Sequence, residues 1–162
     1  MNASNKRSLL SDPGHFLALG GGSGLLPKAP GTCGSISALP FAWLIASYGG
    51  QVSLVAAAGI LFVVGCMAAQ SSGRANGNAD ASEIVVDEVA GQWLTLAVVP
   101  PDLFLYLAGF ILFRIADIVK PWPANLVDRK MKSGLGVMLD DIVAAVYASV
   151  FLLMGLHISS FT

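Results

Sequence analysis

Residues 83–92 read E-I-V-V-D-E-V-A-G-Q, Glu83 to Gln92, and run straight into a further apolar stretch from Trp93 to Val99. Three carboxylates stand at the mouth of a segment whose other residues suit a membrane or a protein core. On a helix, Glu83 and Asp87 are four residues apart and share a face, with Glu88 beside them. Gly91, three residues beyond Glu88, leaves room for a neighbouring helix or a ligand to come close. The helix dipole favours an acid in the first turn and accounts for one of the three. The others need another reason, because charges at the edge of an apolar helix are costly unless paired or bound to a cation. The stretch predicts a helix with a functional, acidic mouth.

The rest of the chain sets the class of protein around that helix. Its 162 residues suit a single domain. They are 55% hydrophobic and 12% charged, against about 25% charged in soluble domains, and the mean hydropathy is +0.72. This is the composition of an integral membrane protein. A net charge of -1 gives nucleic acid nothing to bind. Cys33 and Cys66 are too few for a disulfide framework and read as packing residues. No signal peptide is expected, since Leu9 and Leu10 are followed at once by Ser11, Asp12, Pro13 and Gly14.

Five apolar segments are expected, at 32–48, 51–70, 84–99, 103–118 and 137–156. Pro40 predicts a kink in the first, and Gly49-Gly50 a tight turn before the second. The second carries no charge over a length that fits one bilayer crossing. The third and fourth are short, so their charged ends belong at the interface or in a polar cleft. The fold class is therefore all-α, a polytopic membrane bundle of about five apolar helices. Residues 1–31 form an interfacial, glycine-rich segment and 32–162 the helical domain.

Lys6, Arg7 and Lys28 precede the first segment, Arg74 follows the second, and Arg114, Lys120, Arg129, Lys130 and Lys132 fall at the end of the fourth or before the fifth. Five spans with a cytoplasmic N-terminus put all of these inside. The same arrangement brings the acidic residues to that face.

Two further acidic groups join the first. Arg114, Asp117 and Lys120 are spaced by three on the end of the fourth helix, before K-P-W-P, a pattern that suits a surface ion-pair ladder as well as a functional group. Gly134 to Asp141 reads G-L-G-V-M-L-D-D, and adjacent Asp140 and Asp141 point about 100° apart on a helix, so one of them faces a neighbour squarely. Carboxylates from three helices at one face suit a hard cation such as Mg²⁺, which is commonly shared with a substrate phosphate. Interspersed Arg and Lys would hold that anion, and the combination suits metal-assisted phosphoester hydrolysis. Gly20 to Thr32 is glycine-rich, but Lys28 is followed by Ala29, which rules out a Walker A loop. Backbone N–H groups there and Lys28 remain able to meet a phosphate. Covalent phosphoenzyme routes fit poorly: Cys66 and Arg74 are too far apart for a cysteine phosphatase, and His15 and His157 lie outside the acidic groups.

Four ordered motifs carry a family resemblance: P-K-A-P-G-T-C-G-S at 27–35, D-A-S-E-I-V-V-D-E-V-A-G-Q-W at 80–93, F-R-I-A-D-I-V-K-P-W-P at 113–123 and S-G-L-G-V-M-L-D-D at 133–141. Over about residues 20–157 the chain resembles the phosphatidylglycerophosphatase A family. The resemblance implies an all-helical, Mg²⁺-dependent lipid phosphatase of the bacterial inner membrane, its active site facing the cytoplasm. Its substrate would be the phospholipid phosphatidylglycerophosphate, and a homo-oligomer is left open. Asp80, Glu83, Asp87, Glu88, Asp140 and Asp141 become the metal candidates. Asp87, Glu88, Asp117 and Asp141 become the catalytic candidates, with Asp117 a further ligand or the group that orients water. Lys28, Thr32, Ser35, Arg114 and Lys120 become candidates for holding the phosphate. Cys33 departs from the family, which commonly has tryptophan there.

Two other classes compete on the residues alone. A divalent-cation transporter would use intramembrane carboxylates, but the chain has no internal repeat and its acids gather at one face. A non-catalytic assembly subunit would explain the Gly and Ala content of the second and fifth segments. It leaves three acidic groups unexplained.

Overall fold

The computed structural model describes residues 30–76, 85–131 and 133–159. Among these the chain is helical, without strands. The elements are α1 (Pro30–Asn76), α2 (Val86–Leu96), α3 (Leu103–Val119), α4 (Ala124–Lys130) and α5 (Gly134–Ser159). The expected first and second segments are one helix interrupted at Gly50, whose φ of 75° and ψ of 176° are not helical. That left-handed φ is what a glycine supplies at low cost. Pro40 is different from expectation: helical dihedrals continue through it, and the break is at Gly50.

The chain folds back at Gly50. A Cβ placed on Gly34 would meet the Val85 side chain at 3.0 Å, and one on Gly65 would meet Val86 at 3.2 Å. Positions nearly equidistant from Gly50 thus touch neighbouring residues, so the two arms of α1 lie side by side. Nearer the bend, Ala42 and Ala46 on one arm and Leu54 on the other pack with Leu96, Ala97 and Val99. α2 therefore runs along the hairpin from its open end towards its bend.

α3 returns. It starts at Asp102, whose carboxylate accepts from Phe104 N and Leu105 N at 3.0 and 3.1 Å, a side-chain cap for two otherwise orphaned donors. Its Gly109 sits against Leu96, and its Phe113 against Gly91. α5 then runs the other way, with Met138 beside Gly65 and Leu152 beside Gly109. The result is five alternating legs, with α4 a seven-residue helix between the fourth and fifth. The hydroxyl of Tyr147 on α5 donates to the Trp122 carbonyl at 2.6 Å and holds the K-P-W-P exit against the bundle.

The interior is built from small residues. Ala38, Ala42, Ala58, Ala69, Ala90, Ala144, Ala145 and Ala148 are all buried, while Val52, Ile60, Phe104, Ile111, Ile118 and Phe151 point outward. This reverses the soluble pattern of large residues inside. Helices with alanine and glycine at their contacts approach closely, as in membrane bundles. Over Gly31–Ala69 and over Gly134–Ser159 the helices are long and apolar enough to cross a membrane.

Candidate active site

One end of the bundle collects four helix ends: the starts of α1, α2 and α5 and the finish of α3. On α2, Asp87 and Glu88 occupy the first turn, where the positive end of the helix dipole tolerates acids. On α5, Asp141 faces them from the second turn. Asp87, Glu88 and Asp141 each offer a carboxylate oxygen within 4.8 Å of the others. Oxygens on one Mg²⁺ at bonds of about 2.1 Å span at most about 4.2 Å, so a small closure would bring all three to one ion. The Asp87 and Glu88 carboxyls also act on one another, as do those of Asp117 and Asp141, and like charges this close are relieved by a proton or a cation. Oxygen-only donors and like charges gathered so closely fit a hard dication.

The basic side chains line the same end. Arg114 pairs with Asp117 at 2.6 Å, one helical turn on, and its Nη1 donates to Ser35 Oγ at 3.4 Å. Ser35 Oγ in turn donates to the Gly31 carbonyl at 3.0 Å. These contacts tie α3 to the first turn of α1. Lys120 ends α3 in the left-handed conformation, φ 47°, a cost of about 1–2 kcal/mol for a residue with a Cβ. From there its Nζ reaches Asp140 Oδ2 at 2.6 Å.

Asp140 and Asp141 are thus separated by role. Asp141 joins the α2 carboxylates, and Asp140 pairs with Lys120 while accepting from the Asp141 backbone N–H at 3.1 Å. The 100° between neighbours on a helix produces this division. Thr32 is half-buried in the first turn of α1. Lys28, Asp80 and Glu83 lie outside the described residues.

Two residues join the site that were not expected there. Gly31 is the first. A Cβ on it would fall onto Glu88 Oε1 and come within 3.3 Å of Arg114 Nη1, so only glycine lets α1 start this close to both. Gln92 is the second. It is fully buried, and neither its amide nitrogen nor its oxygen has a partner among the described residues. Its one signal in the sequence is an uncharged amide inside an apolar run, four residues beyond Glu88 and hence on the same helix face. Glu88 Oε2 and Arg114 Nε are likewise buried without a partner among the described residues. Gly91 does what its position implied: its missing Cβ admits the Phe113 ring and the Asp141 carbonyl, the latter at 3.0 Å.

Comparisons with known proteins agree with the motif order. The family model for phosphatidylglycerophosphatase A matches residues 16–156. Phosphatidylglycerophosphatase A of Escherichia coli (strain K12) is 40% identical over 159 residues, covering 96% of this chain and 91% of that protein. The protein of the same name from Haemophilus influenzae is 39% identical over 144 residues, covering 88% of each chain. A Bacteroides thetaiotaomicron protein, provisionally named a phosphatidylinositol-3-phosphatase, is 37% identical over 150 residues, covering 85% of this chain and 89% of its own. No solved structure matches the chain. With bacterial relatives of this kind and two helices able to cross a bilayer, this is a membrane-associated protein. Matched over most of its length by both the family model and these relatives, the chain belongs to the phosphatidylglycerophosphatase A family.

Proposed function

We propose that the protein hydrolyses the terminal phosphate of phosphatidylglycerophosphate to give phosphatidylglycerol in phospholipid biosynthesis, with Mg²⁺ held by Asp87, Glu88 and Asp141. The observation that carries this reading is the meeting of those three carboxylates with Arg114 and Lys120 at one end of the bundle. Opposite charges so arranged suit a cation and a phosphate together. Bound there, Mg²⁺ supplies Lewis-acid neutralisation of phosphate charge and makes water a better nucleophile.

The chain's own residues do the rest. Arg114, fixed by Asp117 and Ser35, presents a planar guanidinium to the phosphate oxygens. The first turns of α1 and α2 meet at this end through Gly31 and Glu88, and helix starts favour an anion. Lys120 adds a second cation and keeps Asp140 from the acidic cluster. Asp117 is held by Arg114 next to Asp141, where it can orient the attacking water or bind the cation.

The five legs cross the membrane with this end towards the cytoplasm, following the basic residues. The eleven residues of α2 reach about 16 Å at about 1.5 Å each, about half of the ~30 Å hydrocarbon core. Its acidic mouth is therefore recessed, and a lipid enters from the inner leaflet with its acyl chains left in the bilayer.

Phosphate release by detergent-purified protein tests the reading, with phosphatidylglycerophosphate and phosphatidic acid compared in Mg²⁺ and in EDTA. Release from the first lipid, abolished by EDTA and restored by Mg²⁺, is the expected result. No release from it, or release indifferent to EDTA, would overturn the substrate or the metal respectively.

A further inference from the structure

An unpaired amide in an apolar interior is expensive, because each buried donor or acceptor left without a partner has given up its hydrogen bond to water. Gln92 leaves both its donor and its acceptor in that state at 0% exposure. Several other interior polar side chains are satisfied: Thr95 donates to the Gly91 carbonyl at 3.0 Å, Trp93 Nε1 to the Ala38 carbonyl at 3.0 Å, and Ser35 to Gly31, while the Tyr106 hydroxyl, in the apolar cluster towards the bend, leaves a single atom without a partner among the described residues. Gln92 is therefore not a residue that packing alone explains. Leucine or methionine would fill the same space without the desolvation cost.

Its position limits what it can meet. Gln92 lies one turn along α2 from Glu88 and on the same face. Two more groups without a partner among the described residues lie towards the cluster, Glu88 Oε2 on α2 and Arg114 Nε on α3. Together these are an acceptor and a donor at the acidic cluster and, one turn (about 5.4 Å) deeper in the bundle, an amide that is both. A group that both donates and accepts, adjacent to the phosphate and nearer the bilayer, would satisfy them. A hydroxyl has that chemistry. In a lipid whose terminal phosphate sits on a glycerol, the free hydroxyl is on the carbon next to the phosphoester and on its membrane side.

We propose that Gln92 reads this headgroup hydroxyl and so selects lipids that carry one beside the scissile phosphate over phosphatidic acid, which has none. The proposal rests on the phosphatase reading above. A site built to bond a hydroxyl penalises the analogue that lacks it, because its own buried groups are then left unpaired.

The test uses the full-length protein in detergent with two lipids: phosphatidylglycerophosphate, and the same lipid with a propanediol phosphate headgroup that lacks only the hydroxyl. In the wild type, kcat/KM for the deoxy lipid should fall by about tenfold or more, as for a lost buried hydrogen bond. In Gln92→Met, which keeps the volume, the gap between the two lipids should close to about onefold. Gln92→Asn, which keeps the amide, should retain part of the gap. Equal wild-type rates on the two lipids would overturn the proposal without need of any variant. So would a Gln92→Met protein that is slower on both lipids with the gap intact, the behaviour of an amide that holds only a buried water. Release from neither lipid by the wild type would instead overturn the phosphatase reading on which this one stands.

Discussion

The two ends of the bundle handle their carboxylates in different ways. At the bend end, Asp102 spends its carboxylate on two backbone N–H groups, and the cluster there is apolar, with Leu54, Leu96, Val99 and Leu152 around the Tyr106 hydroxyl, a lone buried atom without a partner among the described residues. At the other end, Asp87, Glu88 and Asp141 face one another, and Glu88, Gln92 and Arg114 between them keep four buried atoms without a partner among the described residues. Asp102 and Asp87 are the same residue type at the same kind of place, the start of a helix. One completes the fold. The other accepts a backbone N–H from Glu88 at 3.1 Å and stands among like charges, as the proposed cation site requires.

The contrast is broken most severely by Asp141→Asn. Phosphate release should fall by about 100-fold or more, beyond the roughly 10–100-fold typical of a group that only supports a ligand. The melting temperature should stay level or rise, because a like charge has been removed. A fall in both together would make Asp141 a structural residue like Asp102.

Gly31→Ala comes next. The new methyl must push the Glu88 carboxylate aside, and misplacement on that scale should cost roughly tenfold to a hundredfold in kcat/KM. Gly59→Ala is its control, since a Cβ there meets nothing; activity equal to wild type is expected. If the two alanines behave alike, the packing of α1 against Glu88 is not part of the site.

How much of this could be read from the chain alone follows from the period of each feature. The acidic clusters and the order of the helices were legible, because apolar runs bounded by Gly and Pro are long-range signals. The Asp140–Asp141 division was legible too, since helix geometry forbids both from facing one neighbour. The Gly49-Gly50 turn was legible as well, since the chain reverses at Gly50, where the positive φ lies, while Pro40 stands at an exposed position of a helix whose dihedrals continue through it. α4 was missed because seven residues after Pro123 are too few to show a helical period. Gln92 and Gly31 were missed for a different reason. Their roles depend on what other helices bring to them, and no local pattern records that.

The bend end gives the smaller effects. Gly50→Ala forces a side chain into φ 75° and should lower stability by about 1–2 kcal/mol, read as a lower melting temperature with kcat unchanged. Asp102→Ala removes the α3 cap and should cost about 1 kcal/mol, again with kcat unchanged. A large loss of activity in either would show that the two ends are coupled and not separate in function.

The most direct test of the central claim is cation binding at the three carboxylates. Mn²⁺, a hard ion that accepts the same oxygen donors as Mg²⁺, can be titrated into the purified wild type and the Asp87→Asn, Asp141→Asn and Asp102→Asn variants and followed by its paramagnetic signal. The account predicts saturable binding displaced by Mg²⁺, weakened by about tenfold or more in Asp87→Asn and Asp141→Asn, and unchanged in Asp102→Asn. Wild-type affinity in all three variants would contradict it.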